Sequence, residues 1–297
     1  MPTVAVVGAT GFLGGHVARA LRDAGHQVLS LSRSSAGGRD AAWRRLPTDP
    51  PALRRLLLGE SAVAVINCAG ATHGSKADLG AANVALVASL LAALDDTDVR
   101  FIQLGSAAEY GPGEIGRATR EDDVASPVGD YGISKLAATG LVLAAAERAD
   151  VPGLVLRVFN PLGPGISPES LPGRAAREIR HALAGGRAVH LGPLDATRDF
   201  VDVRDMADAV AVASLATDLT GRVLNIGSGR AVTAREMVQL LSEVAGYAGP
   251  ILEHRGGSPR SEATDWQVAD IRAAASALGW VPRRSLRDAL TALWEAG

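Results

Sequence analysis

The apolar run Thr3–Val7 passes directly into a turn carrying Gly8, Gly11 and Gly14, and the turn passes into an amphipathic pattern over Phe12–Ala24. Few folds accommodate that order. A strand that is apolar throughout is buried on both faces, as in a parallel sheet. The glycines permit a tight turn and a close approach of backbone to a ligand. The helix then begins with free N–H groups and partial positive charge. Strand, glycine turn and helix in this sequence form the cradle for a dinucleotide pyrophosphate.

The same rhythm continues through the first half. Strands are expected over Gln27–Leu31, Ala62–Asn67, Val99–Leu104 and Gly153–Val158. Helices are expected over Pro51–Leu58, Ala77–Leu94 and Tyr131–Ala149. This pattern predicts an α/β chain with a Rossmann, doubly wound parallel sheet. The second half opens with a Pro- and Gly-rich loop over Asn160–Pro172 and is less regular. Helices are expected over Arg174–Ala184, Val203–Leu215, Thr233–Ala245, Ile271–Leu278 and Leu286–Glu295, with short strands near Ala188–Leu191 and Val223–Ile226. Thr233 and Glu236 are spaced as a capping box. These elements point to a smaller C-terminal α/β substrate domain. The expected division is 1–165 plus 198–227 for the dinucleotide-binding domain and 166–197 plus 228–297 for the substrate domain.

Bulk properties exclude several function classes. A formal net charge of -2 argues against partners such as nucleic acid or an anionic membrane surface. No apolar stretch reaches the roughly 18 residues expected of a membrane span. The N-terminus MPTVAVVGAT lacks the basic segment of a secretory leader, so a cytoplasmic protein is expected. Cys68 is the only cysteine, which precludes an internal disulfide and reads as a small buried hydrophobe. The histidines, His73 in its loop among them, show no ligand spacing, and no metal is expected.

The end of the second strand discriminates between nicotinamide cofactors. An acid there binds a ribose 2′-hydroxyl. This chain has LSLSRSS instead, with Ser32, Arg33 and Ser34. Arg33 either pairs with a 2′-phosphate or points to solvent, and the absent carboxylate favours NADP, with NAD as the alternative.

Tyr131 and Lys135 lie four apart at the start of a helix and share one face. A phenol with a pKa of about 10 is a poor proton shuttle near neutrality, and a neighbouring ammonium lowers that value. Lys135 is one of only two lysines, the other being Lys76. Ser106 follows the strand FIQLG, at the edge where open α/β sheets bind ligands. Ser106, Tyr131 and Lys135 are therefore the candidate catalytic groups.

The motifs GATGFLG, GSAAEYG, YGISK, RVFNPLGPG, TRDFVDVRD and ALGW stand in the order of the extended short-chain dehydrogenases/reductases, which the chain resembles over essentially its whole length. The resemblance implies the same catalytic serine, tyrosine and lysine. It implies a cofactor cradle formed by Gly8, Thr10, Gly11, Phe12, Leu13, Gly14, Ser32, Arg33, Ser34, Asp49, Cys68, Ala69 and Gly70, with Tyr131 and Lys135 at the nicotinamide end. The dehydratases of that family carry an acid pair where this chain has Ala107 and Ala108, so dehydration is not expected. GSAAEYG looks like the GDP-6-deoxy-mannose reductases and related nucleotide-sugar 4-ketoreductases. The implied substrate contacts are Ser106, Ala107, Glu109, Asn160, Arg198 and Arg260, the last three at a diphosphate. Glu109 is read either as an acceptor for a sugar hydroxyl or as a turn cap. Arg198 is read either as a diphosphate ligand or as an ion-pair partner of Asp199 or Asp202.

The expected reaction is NADPH-dependent reduction of the 4-keto group of a nucleoside-diphosphate 4-keto-6-deoxyhexose. Alternatives are a 4-epimerase with retained cofactor, a ketoreductase for a non-sugar natural-product intermediate, and a dinucleotide-sensing regulator. The resemblance also implies a homodimer built on the helices Ala77–Leu94 and Tyr131–Ala149.

Overall fold

The computed structural model describes residues 1–33, 43–186, 188–216, 218–219, 222–254 and 265–297. Its centre is a seven-stranded parallel sheet. The strands are β1 (Thr3–Val7), β2 (Gln27–Ser32), β3 (Trp43–Arg45), β4 (Ala62–Asn67), β5 (Arg100–Ser106), β6 (Gly153–Val158) and β11 (Val223–Ile226). They lie in the order β11-β6-β5-β4-β1-β2-β3. The order reverses between β1 and β4, and that reversal opens a crevice beyond the strand ends.

Alternation along β1 explains its unbroken apolar run. Val4 and Val6 enter one core with Val17, Ala18 and Leu21 of α1 (Phe12–Asp23) and with α7 (Val203–Leu215). Ala5 and Val7 enter the opposite core with α2 (Pro50–Gly59), α4 (Leu86–Leu94) and α5 (Gly129–Glu147). Both faces are covered, so Val4 to Val7 are apolar throughout, and the polar Thr3 at the strand's start finds a partner in Gln27.

The expected helix over Ala77–Leu94 begins as α3 (Lys76–Leu79), passes through a π-helical stretch Gly80–Ala85 and continues as α4. The whole of Lys76–Leu94 has mean hydropathy 1.8 and is long and apolar enough to cross a membrane by length and composition, contrary to expectation. Here it packs along the sheet against α2 and α5.

A third core holds the C-terminal lobe. It joins α6 (Leu171–Gly185), β8 (Val189–Leu191), α8 (Ala234–Ala245) and α10 (Leu286–Glu295). The short strands β7 (Pro161–Leu162), β9 (Thr197–Arg198), β10 (Val201–Asp202), β12 (Val232–Thr233), β13 (Ile251–Glu253) and β14 (Trp266–Gln267) link the lobe to the sheet edge. The capping box at Thr233 and Glu236 is formed.

One further expectation needs correction. Trp43–Arg45 adds an edge strand that its brevity hid. The cores also draw on residues distant in the chain. Ala274 of α9 (Arg272–Leu278) and Trp280 join the first core of the sheet, whereas Leu162 and Phe200 join the core of the lobe.

Asp205 fastens the final segment to the sheet layer. Its carboxylate accepts from Arg283 N at 2.9 Å, Arg284 N at 2.8 Å and Arg284 Nη1 at 2.5 Å, while its carbonyl accepts from Trp280 Nε1 at 3.0 Å. Asp205→Ala should destabilise the fold by about 3 kcal/mol, because buried donors lose their acceptor. Urea unfolding measures this, and a loss under about 1 kcal/mol would show that water replaces the carboxylate.

Candidate active site

The glycine turn is interlocked with its surroundings. Gly8 has φ +81, and its N–H donates to Leu31 O at 2.8 Å. A Cβ on Gly8 would lie 2.9 Å from Ala69 N, and a Cβ on Gly14 would lie 2.2 Å from Gly8 O. Gly11, the N-cap of α1, makes no side-chain capping bond, and the first turn contains no acid. By contrast Asp49, Ser170, Thr233 and Ser285 cap α2, α6, α8 and α10. The amides and partial positive charge at the start of α1 are thus left to an external anion, as a dinucleotide pyrophosphate requires. Thr10 is exposed and Phe12 and Leu13 are half-buried beside this turn.

At the end of β2 the side chains part company. The Ser32 hydroxyl is 5% exposed and accepts from Trp43 Nε1 at 2.7 Å, so it packs into the edge strand rather than facing a ribose. Arg33 is exposed. Ser34 lies outside the described residues. The Asp49 carboxylate accepts from Ala52 N at 2.9 Å, which gives it a structural task at the head of α2.

The loop after β4 is held by a residue that sequence reasoning missed. Asn83, in the π-helical stretch, is 2% exposed. Its Oδ1 accepts from Ala71 N at 2.8 Å, and its Nδ2 donates to Ala71 O and to Ser134 Oγ, each at 2.9 Å. A Cβ on Gly70 would lie 2.7 Å from that Oδ1. The only signal in the sequence was a lone amide in an Ala- and Leu-rich helix, which must find partners when buried. Cys68 N donates to Val7 O at 2.9 Å, and burial pushes the Cys68 thiol up to about 12 against the opposing charge of Lys135. A thiol in that state is not a nucleophile.

The three candidate catalytic residues come from two elements that meet. Ser106 ends β5 half-buried, and its Oγ accepts from Ala108 N at 3.2 Å in the short 3-10 turn Ala107–Glu109. A Cβ on Gly132 would lie 2.5 Å from Ala108 O, so α5 is seated on this corner. Lys135 is 7% exposed, and its Nζ donates to Leu104 O at 2.5 Å, two residues before Ser106. Tyr131 stands one turn earlier on the same helix face, where its carbonyl accepts from Ser134 Oγ at 2.8 Å. Burial pulls the Lys135 ammonium below its ordinary value, and the charges of Glu109 and then Cys68 oppose that fall.

The implied substrate contacts fare unevenly. Glu109 is not one of them. It is 0% exposed and turned inward onto Ser106 N, Thr139 and Arg157. Ala107 is likewise buried, and its carbonyl accepts from Gln267 Nε2 at 3.1 Å. Asn160 adopts φ 26, and its Nδ2 donates to Asp199 O at 2.9 Å. Arg198 is half-buried in β9, and burial lowers its pKa while Asp265 opposes. Asp199 accepts from Ser228, Gly229 and Ala269, and Asp202 accepts from Arg204. Arg260 lies outside the described residues, and among those residues no cluster suited to a metal ion occurs.

Residues 4–227 match the NAD dependent epimerase/dehydratase family. The chain belongs to that family. It is 40% identical to the dTDP-6-deoxy-L-talose 4-dehydrogenase (NAD(P)(+)) of Kitasatospora kifunensis, with 99% of this chain and 95% of the relative covered. Among solved structures, MoeE5 in complex with UDP-glucuronic acid and NAD superposes with TM-score 0.85 at 30% identity, covering 99% of this chain and 98% of that one. RMD from Pseudomonas aeruginosa complexed with NADPH superposes with TM-score 0.81 at 27% identity, covering 100% and 97%.

As a member of this family the protein is an NAD(P)-dependent enzyme of the oxidoreductase type. The uncapped start of α1 and the close-packed glycines fit that cofactor on geometry alone.

Proposed function

We propose that the enzyme reduces the 4-keto group of a nucleoside-diphosphate 4-keto-6-deoxyhexose with NADPH in the cytoplasm. The observation that carries the reading is the bond from Lys135 Nζ to Leu104 O, which seats the Tyr131 helix face against the strand that ends in Ser106. When bound at the glycine turn and the uncapped start of α1, NADPH would supply the hydride for the keto carbon. Ser106 orients the carbonyl, Tyr131 delivers the proton to the developing alkoxide, and Lys135 holds the phenol in an acidic state. The name of the 40%-identical relative supports a 4-position on a 6-deoxy sugar and favours a thymidine diphosphate over a guanosine one. Arg198 and Asn160 are the described candidates for the diphosphate.

The deciding assay measures NADPH oxidation against TDP- and GDP-linked 4-keto-6-deoxy sugars. Turnover of the TDP-linked members is expected. Inactivity against all of them, together with conversion of an NDP-hexose into its 4-epimer without added nucleotide, would replace this reading by the epimerase.

The cofactor preference has its own test. Arg33→Ala should raise the KM for NADPH by about 10- to 100-fold, the worth of a charge-assisted bond to phosphate, and leave that for NADH nearly unchanged. A wild-type preference for NADH would end the assignment.

A homodimer is part of the proposal. Only 39% of the apolar window in Lys76–Leu94 is buried within one chain. The groove between α4 and α5, lined by Ala88, Leu91, Ala92, Leu141 and Ala144, offers the contact. Sedimentation equilibrium tests it, with a monomer at assay concentration as the contrary result.

A further inference from the structure

Both carboxylate oxygens of the enclosed Glu109 are engaged. Oε1 accepts from Ser106 N at 2.8 Å. Oε2 accepts from Thr139 Oγ1 at 2.8 Å and from Arg157 Nε at 2.8 Å. The donors belong to the end of β5, the middle of α5 and β6. Thr139 follows Lys135 by four residues, as Lys135 follows Tyr131, so one helix face carries all three. A single carboxylate therefore ties the backbone of the serine to the face that carries the phenol and the ammonium. A Cβ on Gly105 would lie 2.7 Å from Oε1, so glycine is needed for the acid to pass this close.

A buried ion pair is a poor way to hold two strands together, since desolvation offsets most of its attraction. Here β5 and β6 already pair from Phe101 with Gly153 to Ser106 with Val158. The charge is not required for that contact. The Arg157 guanidinium lies 4.3 Å over the Tyr110 ring, and the Tyr110 hydroxyl donates to Asn225 Oδ1 at 2.8 Å, which walls the pair off from water.

We propose that Glu109 is the positioning residue of the Ser-Tyr-Lys site, fixing the Ser106 corner against the helix face of α5 that carries Tyr131 and Lys135. The inference rests on the catalytic reading above. The titratable groups whose charge acts on Lys135 are Glu109 from the turn after β5 and Cys68 just past β4, and Glu109 is itself bound by Arg157 of β6. Burial disfavours the ammonium, and Glu109 is the larger of the two charges that favour it. The sign follows directly. A neutral side chain at 109 lets Lys135 lose its proton at lower pH, and an uncharged amine no longer stabilises a phenolate at Tyr131.

Tyr131 is one of three tyrosines, so its phenol can be followed by ultraviolet difference titration of the NADP-bound enzyme, subtracting a Tyr131→Phe variant. The wild-type phenol is expected to titrate below the ordinary value of about 10. In Glu109→Gln, with Glu109→Gln/Tyr131→Phe as its blank, the titration should move up by about one pH unit or more. A wild-type phenol that titrates at its ordinary value overturns the Ser-Tyr-Lys reading itself. A lowered wild-type value that is unchanged in Glu109→Gln overturns only the role of Glu109, even if thermal stability falls. Glu109→Gln leaves Arg157 without a counter-charge and can fail to fold. Glu109→Gln/Arg157→Met removes both charges, and the same rise is expected there. An unmoved titration in that variant also overturns the proposal.

Discussion

Replacing Tyr131 by phenylalanine should lower turnover by about 10²- to 10⁴-fold, the usual contribution of a positioned general acid. Affinity for NADPH should change little. The ring is retained, and Lys135 stays anchored to Leu104 O at 2.5 Å. The fold should be indifferent as well, because Tyr131 is only half-buried at the first turn of its helix. Single-turnover NADPH oxidation with the best sugar of the panel reads the chemical step. Quenching of the enzyme's tryptophans, four in the chain, reads cofactor binding. Loss of the chemical step with binding intact assigns the proton to Tyr131. Turnover within about threefold of wild type would remove Tyr131 from the reaction.

Gly14→Ala should be the most damaging single-methyl change. The added carbon would lie 2.2 Å from Gly8 O, 2.7 Å from Gly8 C and 3.0 Å from Ala9 Cα. All three are backbone atoms, so no rotamer relieves the clash, and α1 must retreat from the turn after β1. Val17, Ala18 and Leu21 resist that movement because they are sealed into the core with Val4 and Val6. Expected losses are about 2–4 kcal/mol of stability and more than about 100-fold in dinucleotide affinity, as an ångström-scale misplacement at a binding turn implies. Gly15→Ala is the matched control. Its Cβ would meet nothing nearer than Ala9 O at 3.6 Å, and the site is exposed on the helix. There the better helix propensity of alanine should stabilise by up to about 1 kcal/mol. Equal binding losses in the two variants would contradict the steric account.

The legible part of the site is the part built from local rules. Gly8, Gly11 and Gly14 announce a backbone that must turn tightly, and the four-residue step from Tyr131 to Lys135 puts two side chains on one helix face. Capping at Thr233 is equally local and is formed as expected. Of the two readings of Glu109 the local one, a turn cap, is formed at Ser106, while its longer-range partners were not legible. Its three donors, Ser106, Thr139 and Arg157, are 3, 30 and 48 residues away, and no window of sequence joins them. Asn83 escaped notice similarly, since its partners Ala71 and Ser134 lie 12 and 51 residues off. Trp280 and Leu162 join cores far from their neighbours in the chain, which no local pattern announces.

The chain's own order determined the sheet class, the glycine turn and the placement of Tyr131 and Lys135 on one helix face, because strand burial, turn sterics and helix periodicity act within a few residues. Tertiary structure alone decided which donors each buried acid meets. It turned Glu109 towards Arg157 and spent Asp199 on Ser228, Gly229 and Ala269. The reason is electrostatic. A charge carries no address in the sequence, and its task is set by whichever donors the packed core brings to meet it.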